Sequence, residues 1–408
     1  MEVTVWYSTE SMADYIIDHT VLKSHHCVKA MLQESDASKP KHFHSVPDHI
    51  KKILYLDAPD IIVEVDSNPI FTIEESKEAG TGHNVFQRFS RLAASAENGI
   101  PSFYVYPEAV IIERRNGSIK WDVINPLICH ALDRLMSVFN TPALLFFFPS
   151  RYPSRDFSPM NKKNKGLLFH NDVKYLACPQ VDSEMQEMFQ CIDLIVDQVE
   201  RKGFSAISAL MGFSLVKKRK ELHLTYLTNH LGGKSREEMS PLSATMEVPT
   251  ETILRYLEKH SGVRSIRGVL PSRKKTIVYK VNASFRGDPY PGALAAIDYM
   301  LCRYGRTFED RECNLVMVWG EFQYDSTKHE ISISGNASVL DFCSKLKQIE
   351  RHNLLNKDYC RIVRDKEIPR YYMQARYGSM FSKAKDIRVY SYFCDAILFK
   401  DGVLWREG

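Results

Sequence analysis

The stretch from residue 58 to residue 77 constrains the fold of this chain more than any other. It holds two runs rich in β-branched and aromatic side chains, residues 61–66 and 70–75, with the turn-forming pair Ser67-Asn68 between them. Short β-rich arms on either side of turn residues fold back on each other. The pattern therefore predicts an antiparallel hairpin, and the neighbouring chain has to be accommodated around a β-sheet.

The hairpin lies within a predicted order of helix, strands, helix and strands. Helical patterns cover residues 10–33, 84–97 and 182–201, the last with a single apolar stripe. Further strand-like runs cover residues 102–106 and 143–148. Helices that alternate with strands cover the faces of a sheet. We therefore predict an α/β (α+β) fold with a mixed β-sheet flanked by helices.

Composition divides the chain after residue 150. Residues 151–166 are rich in Pro, Ser, Lys and Asn, which is typical of a linker. Residues 1–150 carry 13 Lys and Arg against 19 Asp and Glu, whereas the remaining residues carry 41 and 31. An acidic part suits metal-binding carboxylates and a basic part suits a polyanion, although ordinary scatter would also produce such a difference. We predict three regions, residues 1–150, 151–280 and 281–408.

The sequence predicts a cytoplasmic protein that does not enter a membrane. The chain begins Met-Glu-Val-Thr-Val, without a basic segment followed by an apolar core, so no signal peptide is expected. The longest apolar run, residues 143–148, is the length of a strand rather than of a membrane span. The nine cysteines are scattered and form no Cys-x-x-Cys pair, which is typical of reduced intracellular cysteine.

The predicted hairpin brings charged side chains of both signs to one end. If Ser67 and Asn68 form a two-residue loop, Asp60 faces Glu75 at about 5 Å. Alternate residues of a strand share a face, so Glu75 and Lys77 point the same way. Two adjacent carboxylates repel each other, and Mg²⁺ compensates this repulsion with the oxygen ligands that it prefers. Lysine beside the metal is suited to orienting or deprotonating an attacking water molecule.

These residues resemble the signature of the PD-(D/E)xK nuclease superfamily, which includes many type II restriction endonucleases. The matching residues are Pro59-Asp60 and Glu75-Ser76-Lys77, and the resemblance covers about residues 10–150. It implies that Asp60 and Glu75 bind Mg²⁺, that the Ser76 carbonyl adds a ligand and that Lys77 activates water. It also implies a restriction-endonuclease-like core, since the hairpin, the following helix and the next strand occur in the family's order.

The register of the hairpin leaves one ligand open. A turn at residues 68–69 would move Asp60 away from Glu75 and make Glu64 the substitute ligand. Glu74 precedes Glu75 directly and therefore points to the opposite face, which argues against a ligand role.

Other residues are weaker candidates for contact with phosphate. Gln87 and Arg91 lie on the helix that follows the hairpin, and basic runs occupy residues 162–165 and 217–220. Each of them has a simpler interpretation, because charged side chains commonly do no more than solvate a helix face or a loop.

Residues 242–260 resemble a helix-turn-helix. The pattern places a short helix at Ala244, a turn at Glu247-Val248 and a second helix that carries Arg255 and Lys259 on its exposed face. The alternative is an ordinary helical pair on the protein surface. The complete set of predicted DNA-binding residues, which includes basic residues downstream, is Arg255, Lys259, Arg264, Arg267, Arg273 and Lys274.

Together these patterns predict a type II restriction endonuclease that hydrolyses double-stranded DNA with Mg²⁺. Residues 1–150 would cut the DNA, residues 151–280 would recognise it, and residues 281–408 would assist recognition or dimerisation. A homodimer would match the symmetry of a palindromic target. Two alternatives stay open, namely a repair or structure-specific nuclease on the same core and a non-enzymatic helix-turn-helix DNA-binding protein.

Overall fold

The structure is a computed structural model, and two compact units make up the chain. The described residues are 1–32, 46–54, 58–75, 85, 88–107, 109–113, 119–124, 126–148, 183–231, 245–261, 270, 273–281, 313–335, 338, 360–364, 370–375, 394–402 and 404–407. The first unit comprises Met1–Glu34 and Val46–Gly233, and the second comprises Ser35–Ser45 and Lys234–Gly408. The division predicted at residues 150 and 280 stays a prediction, and the first unit includes the described residues 183–231.

A six-stranded mixed sheet forms the centre of the first unit. The strands of this unit are β1 (Val3–Tyr7), β2 (Cys27–Met31), β3 (Ile61–Val65), β4 (Asn68–Glu75), β5 (Ser102–Pro107), β6 (Ala109–Glu113), β7 (Ile119–Val123) and β8 (Ala143–Phe148). The order in the sheet is β2-β1-β3-β4-β5-β8, and β6 and β7 form a separate antiparallel pair. Strands β1, β3 and β4 are antiparallel, whereas β5 is parallel to both β4 and β8. The predicted mixed sheet is confirmed.

Helices flank this sheet. They are α1 (Glu10–His19), α2 (Asp48–Lys51), α3 (Phe89–Glu97), α4 (Leu127–Phe139), α5 (Ser183–Lys202) and α6 (Ser214–Leu231), with 3₁₀ turns at Val21–Ser24 and Phe204–Gly212. The apolar stripe predicted for α5 is confirmed, because its members are buried: Met185, Met188, Phe189, Ile192, Ile195, Val196 and Val199. Among the helices that the structure describes, none combines the length and apolar character needed to cross a bilayer.

The helix predicted over residues 10–33 is too long. It ends at His19, because Thr20 has an extended backbone with φ −123° and ψ 174°. The Thr20 hydroxyl donates to the Ile16 carbonyl at 2.7 Å. After the 3₁₀ turn, strand β2 pairs in parallel with β1. Pairing with a distant strand therefore overrides a local helical pattern over the second half of this segment.

Side chains of α5 and α6 cover the edge of the sheet at β8. The Leu145 carbonyl accepts hydrogen bonds from Arg219 Nε at 2.8 Å and Nη2 at 2.6 Å, and the Leu145 N–H donates to His223 Nε2 at 3.1 Å. The Phe147 N–H donates to Glu184 Oε2 at 2.9 Å. We call Glu184, Glu187, Arg219 and His223 the edge cluster. These bonds satisfy backbone groups that an uncovered edge strand would offer to another chain.

A second mixed sheet organises the other unit. Its described elements are β9 (Thr245–Pro249), α7 (Thr250–Ser261), β10 (Lys275–Val281), β11 (Cys313–Trp319), β12 (Glu321–Asp325), β13 (Glu330–Ser334), β14 (Cys360–Arg364), β15 (Arg370–Ala375), β16 (Ala396–Leu398) and β17 (Leu404–Glu407). The strand order is β14-β15-β17-β16-β11-β10-β9, and β12 and β13 form their own antiparallel pair. Strand β11 is parallel to both β10 and β16.

The predicted helix-turn-helix is wrong where the turn was expected. Strand β9 occupies that position and pairs antiparallel with β10. The sequence alternates there, since Val248 is buried while Glu247 and Pro249 are exposed. Such alternation favours a strand at the end of a sheet. The second helix of the predicted motif is present as α7, and its first N–H, from Thr250, donates to the Lys274 carbonyl at 2.9 Å.

Candidate active site at the end of the first hairpin

The turn of the β3–β4 hairpin consists of Asp66 and Ser67, whose φ angles are 46° and 62°. Two consecutive residues with positive φ form a type I′ turn, which suits the twist of a hairpin. Asp66 is tied to the residue before β1, because its N–H donates to the Glu2 carbonyl at 2.9 Å and its Oδ1 accepts from the Glu2 N–H at 2.9 Å. The turn predicted at Ser67-Asn68 and the alternative at residues 68–69 are therefore both wrong.

A β-bulge at Ile70 of β4, between the pairs Val63–Phe71 and Glu64–Pro69, shifts the pairing of the two strands, so that Ile61 faces Ile73. The observed ladder is one residue out of the predicted register. The prediction that Asp60 directly faces Glu75 in the ladder is therefore wrong.

Asp60 and Glu75 nevertheless meet at the open end of the hairpin. Asp60 Oδ2 accepts a hydrogen bond from the Glu75 N–H at 2.8 Å. The backbone of Asp60 is held as well, since its carbonyl accepts from the Ser8 N–H at 2.8 Å. Glu75 is 6% exposed and the Asp60 side chain is 18% exposed. The two carboxylate residues singled out in the sequence are thus joined by a contact between a side chain and a backbone amide.

Glu64 lies at the other end of the same hairpin. It faces Pro69 near the turn, and its Oε2 is 2.6 Å from His49 Nε2. Four residues separate it from Asp60, a distance of about 13 Å along a strand. Glu64 therefore belongs with His49 of α2, and the structure separates it from Glu75. The histidine was not singled out as a partner, because a contact across 15 residues leaves no local sequence pattern.

A buried cluster of charges lies behind the open end of the hairpin. Arg91 Nη1 donates to Glu74 Oε1 at 2.9 Å and Oε2 at 2.7 Å, and it lies 3.8 Å from Asp60 Oδ1. Arg88 Nη1 lies 2.9 Å from Glu74 Oε1. We call Asp60, Glu74, Arg88 and Arg91 the hairpin cluster. Arg91 is buried against the sheet, so it is neither a surface contact for phosphate nor a solvating residue.

Burial dominates the electrostatics of this cluster. It raises the pKa of the Glu74 carboxyl well above its ordinary value, while the nearby guanidinium groups of Arg91 and Arg88 act in the opposite direction. Glu74 is 1% exposed, so these two cations stand in for the water that would otherwise solvate a carboxylate. The face assigned to Glu74 in the sequence agrees with this position. Its partners Arg88 and Arg91 lie three residues apart in the segment after the hairpin. This spacing is the sequence signal that could have identified them as partners of Glu74.

Neutral polar groups extend the cluster along α3. Thr72 Oγ1 donates to Ser95 Oγ at 2.9 Å, and Ser95 Oγ donates to the Arg91 carbonyl at 3.0 Å. Tyr104 on β5 donates its hydroxyl to the Val85 carbonyl at 2.9 Å, and burial raises the pKa of this tyrosine well above its ordinary value. The layer between the sheet and α3 is therefore polar at one end.

Two residues of the predicted catalytic set lie outside the described residues, namely Ser76 and Lys77. Within the part of the chain that the structure describes, no group of three or more histidine, cysteine, aspartate or glutamate side chains is arranged to hold a metal ion. A metal at the open end of the hairpin would thus need donors besides Asp60 and Glu75. Mg²⁺ sites commonly take such donors from water and substrate phosphate.

The predicted DNA-binding residues of the second unit fall into three groups. Arg255 and Lys259 lie on α7 and line a cleft of about 330 Å³ together with His260 and His329. Glu258 and Glu330 also line this cleft. Just before β10, Arg273 is half-buried and Lys274 is exposed. Arg264 and Arg267 lie outside the described residues.

Comparison of the chain with protein-family models, with curated proteins and with solved structures finds no match.

Proposed function

We propose that this protein is a Mg²⁺-dependent endonuclease of the restriction type, which hydrolyses phosphodiesters of double-stranded DNA at a specific sequence. The observation that carries the proposal is the 2.8 Å hydrogen bond between Asp60 Oδ2 and the Glu75 N–H. It joins the two halves of the PD-(D/E)xK-like pattern, which are 15 residues apart in the chain.

The order of elements supports the same proposal. The hairpin β3–β4 is followed by α3, and the chain then returns as β5, which lies parallel to β4. Hairpin, crossover helix and parallel strand follow one another as the resemblance to the PD-(D/E)xK superfamily implies. A restriction-endonuclease-like core is therefore part of the proposal.

The side chains at the open end of the hairpin fit Mg²⁺ in their chemistry. Asp60 and Glu75 both supply carboxylate oxygens, which are the donors that this cation prefers. In the proposal these two residues and the Ser76 carbonyl hold the ion. An ion held there would supply polarisation of the scissile phosphate and would lower the pKa of its water ligands. Lys77 accepts or directs the proton of the attacking water, and its positive charge stabilises charge that develops on the phosphate.

The second unit would supply contacts to the DNA. Arg255 and Lys259 are four residues apart on α7 and line the same cleft, so both cations share one face of the helix. The proposal gives them phosphate contacts, together with Arg264, Arg267, Arg273 and Lys274. A second copy of the chain, arranged with two-fold symmetry, would match a palindromic target.

Plasmid cleavage tests the catalytic part of the proposal. The purified protein is incubated with plasmid and phage DNA, with Mg²⁺ or with a chelator, and the products are resolved on a gel. We expect discrete fragments only with Mg²⁺. Asp60→Asn, Glu75→Gln and Lys77→Ala should abolish cutting while retardation of uncut DNA persists. The matched control is Glu64→Gln, which removes a buried carboxylate from the same hairpin and should retain cutting.

Other outcomes decide against parts of this proposal. Wild-type protein that retards DNA but leaves it uncut in Mg²⁺ would exclude the nuclease and favour a DNA-binding protein. Cleavage restricted to branched or damaged DNA would indicate a structure-specific nuclease. Loss of cutting in Glu64→Gln together with full activity in Asp60→Asn would make Glu64, and not Asp60, the metal ligand.

The salt dependence of DNA binding tests the second unit. Arg255→Ala/Lys259→Ala should weaken binding for every sequence and reduce the slope of log affinity against log salt concentration by about 1.8, since each phosphate contact contributes about 0.9. The control is Lys202→Ala, an exposed lysine at the end of α5 in the first unit. An unchanged slope in the double variant would remove these two residues from the interface.

A further inference from the structure

We propose that Arg91 is a positioning residue for the cleavage reaction, which it serves by holding the carboxylate of Asp60 at the open end of the hairpin. This inference rests on the proposed nuclease function. Arg91 belongs to α3 and reaches the site from behind the sheet, whereas the catalytic residues of the proposal belong to the hairpin and the residues directly after it.

The two carboxylate oxygens of Asp60 contact different groups. Oδ2 accepts the Glu75 N–H at 2.8 Å, and Oδ1 lies 3.8 Å from Arg91 Nη1. The first contact is a hydrogen bond and the second is an electrostatic contact at longer range. The charge of Arg91 favours the orientation of the Asp60 carboxylate in which Oδ1 lies toward Arg91 and Oδ2 accepts from the Glu75 N–H.

Arg91 is itself held in place. The same Nη1 contacts both carboxylate oxygens of Glu74, at 2.9 and 2.7 Å, and the residue is 6% exposed. Ser95 donates to its backbone carbonyl at 3.0 Å. A guanidinium whose Nη1 is fixed by a buried carboxylate keeps the same nitrogen in place next to a second carboxylate, Asp60.

The charges make this support specific. Glu74 carries at most one negative charge, because burial raises its pKa, and Arg88 and Arg91 together carry two positive charges, so the three residues leave at least one positive charge next to Asp60. If Arg91 only neutralised Glu74, Arg88 would already do so at 2.9 Å. The second cation is the one that also reaches Asp60.

If Arg91 had only a structural role, its removal would have the same consequences as the removal of Arg219, the buried arginine of the edge cluster. Arg219 is also buried in the first unit, at 2% exposure, and pairs with two carboxylates, Glu184 and Glu187. It lies at the edge strand β8, and Asp60 is not among the partners described for it. Its removal should cost stability without any specific effect on metal-dependent cleavage.

The test compares Arg91→Met and Arg91→Lys with Arg219→Met, at a temperature where chemical unfolding shows each protein to be folded. Where Arg219→Met does not fold, Arg219→Lys is compared with Arg91→Lys. A double variant, Glu74→Gln/Arg91→Met, removes the buried carboxylate together with one of its two cationic partners, so that no buried carboxylate is left short of a cation. Mg²⁺ binding to the DNA-free protein is measured by titration calorimetry, and plasmid cleavage is measured over a series of Mg²⁺ concentrations. The wild type, Asp60→Asn and Glu75→Gln are included in both.

We expect Arg91→Met and the double variant to lose about 10- to 100-fold in cleavage rate and to need a higher Mg²⁺ concentration for half-maximal activity, because a supporting residue orients the ligand. Arg91→Lys should recover part of both, and the Arg219 variants should keep the wild-type Mg²⁺ requirement. The direction of the shift is decisive. Removing a cation that acted only through its charge would make Mg²⁺ bind more tightly, and the requirement would fall.

The outcomes separate the two levels of the proposal. A Mg²⁺ requirement that is unchanged or lower in the Arg91 variants overturns the positioning role, and so does a rate that follows stability in the same way as for the Arg219 variants. The nuclease assignment then still stands on the Asp60 and Glu75 variants. Wild-type protein that cuts no DNA overturns both.

Discussion

Two buried arginines of the first unit are each held between carboxylates, but their surroundings differ. Arg219 donates to the Leu145 carbonyl and lies 4.5 Å from the ring centroid of Phe146, so it completes the edge of the sheet. Arg91 pairs with Glu74 in the layer under α3 and reaches toward Asp60 at the end of the hairpin. One arginine satisfies backbone groups, and the other supports a side chain.

The difference teaches how to interpret a buried ion pair. Burying charges costs free energy whether or not the pair has a function, so the pair alone is weak evidence for a site. What distinguishes the hairpin cluster is the position of its partially exposed carboxylate, since Asp60 lies at the open end of the hairpin and accepts the Glu75 N–H. The edge cluster has its outer carboxylates on helices, where Glu184 and Glu187 face solvent in part.

The largest effect is expected at the edge cluster. Arg219→Met should destabilise the protein by about 3–5 kcal/mol, because it leaves a backbone carbonyl without its charged donor and two carboxylates without their buried partner. The free energy of unfolding is measured by urea titration with the wild type as reference. A loss below about 1 kcal/mol would mean that the cluster does not contribute to closing the sheet edge.

The next effect depends on pH and concerns His223. Burial and the neighbouring Arg219 lower its pKa to about 3, whereas the Leu145 carbonyl, 3.0 Å from Nε2, and Asp133 act in the opposite direction. In the unfolded chain His223 is protonated below about pH 6.5, whereas in the folded protein it stays neutral down to about pH 3. Stability therefore falls as the pH drops from about 6.5 towards 3. Between pH 7 and pH 5 this one group removes about 2 kcal/mol.

His223→Gln should abolish that part of the pH dependence, since glutamine does not titrate. Urea titrations at pH 7 and pH 5 give the difference for both proteins. Equal pH dependence in the two proteins would show that His223 carries no part of the acid sensitivity.

A smaller effect is expected at the hydrogen bonds of Thr72 and Ser95, which lie next to the hairpin cluster. Thr72→Val should cost about 1 kcal/mol, because it removes the hydrogen bond from Thr72 to Ser95 but preserves volume and leaves Ser95 bonded to the Arg91 carbonyl. The measurement is again urea unfolding, with Thr225→Val on the exposed face of α6 as control. A cost above about 3 kcal/mol would indicate that this polar layer is as critical as the edge cluster.

The smallest effect is expected at the surface of the edge cluster. Lys218 pairs with Glu187 at 2.9 Å but is 63% exposed, so Lys218→Ala should change stability by no more than about 0.5 kcal/mol. The small difference should shrink further in high salt. A large loss would show that the exposed lysine, and not only the buried arginine, holds the cluster together.

Local sequence patterns predicted the elements of the first sheet well. The arms of the hairpin, the buried strand β8 and the helix α5 each carry their own periodicity, and all three are present. The turn was misplaced because Asp66 is bonded to Glu2, 64 residues away. The sequence pattern assigns the residues of β9 to a helical motif, because five residues of alternation are too short to outweigh the helix that follows.

The part of the candidate site that depends on local sequence patterns was also predictable. Asp60 and Glu75 were singled out by residue type and spacing, and they meet despite the wrong register, because the contact runs from a side chain to the backbone. Arg91 was seen only as a polar residue on a helix. Arg91 is buried because it lies on the face of α3 that packs on the sheet. A charged residue within an apolar face is not recognised as buried from the periodicity of the helix alone. Ser76 and Lys77 stay predictions.

The tip of a hairpin is ordinarily a place where a protein tolerates inserted residues. In this chain the tip is Asp66-Ser67, and Asp66 is bonded through its backbone and its side chain to Glu2. An epitope or a linker inserted there would break that attachment and release the pairing that leads down to Asp60. Changes of chain length in this hairpin are therefore coupled to the geometry of its far end, and fusion or tagging designs should leave this turn intact.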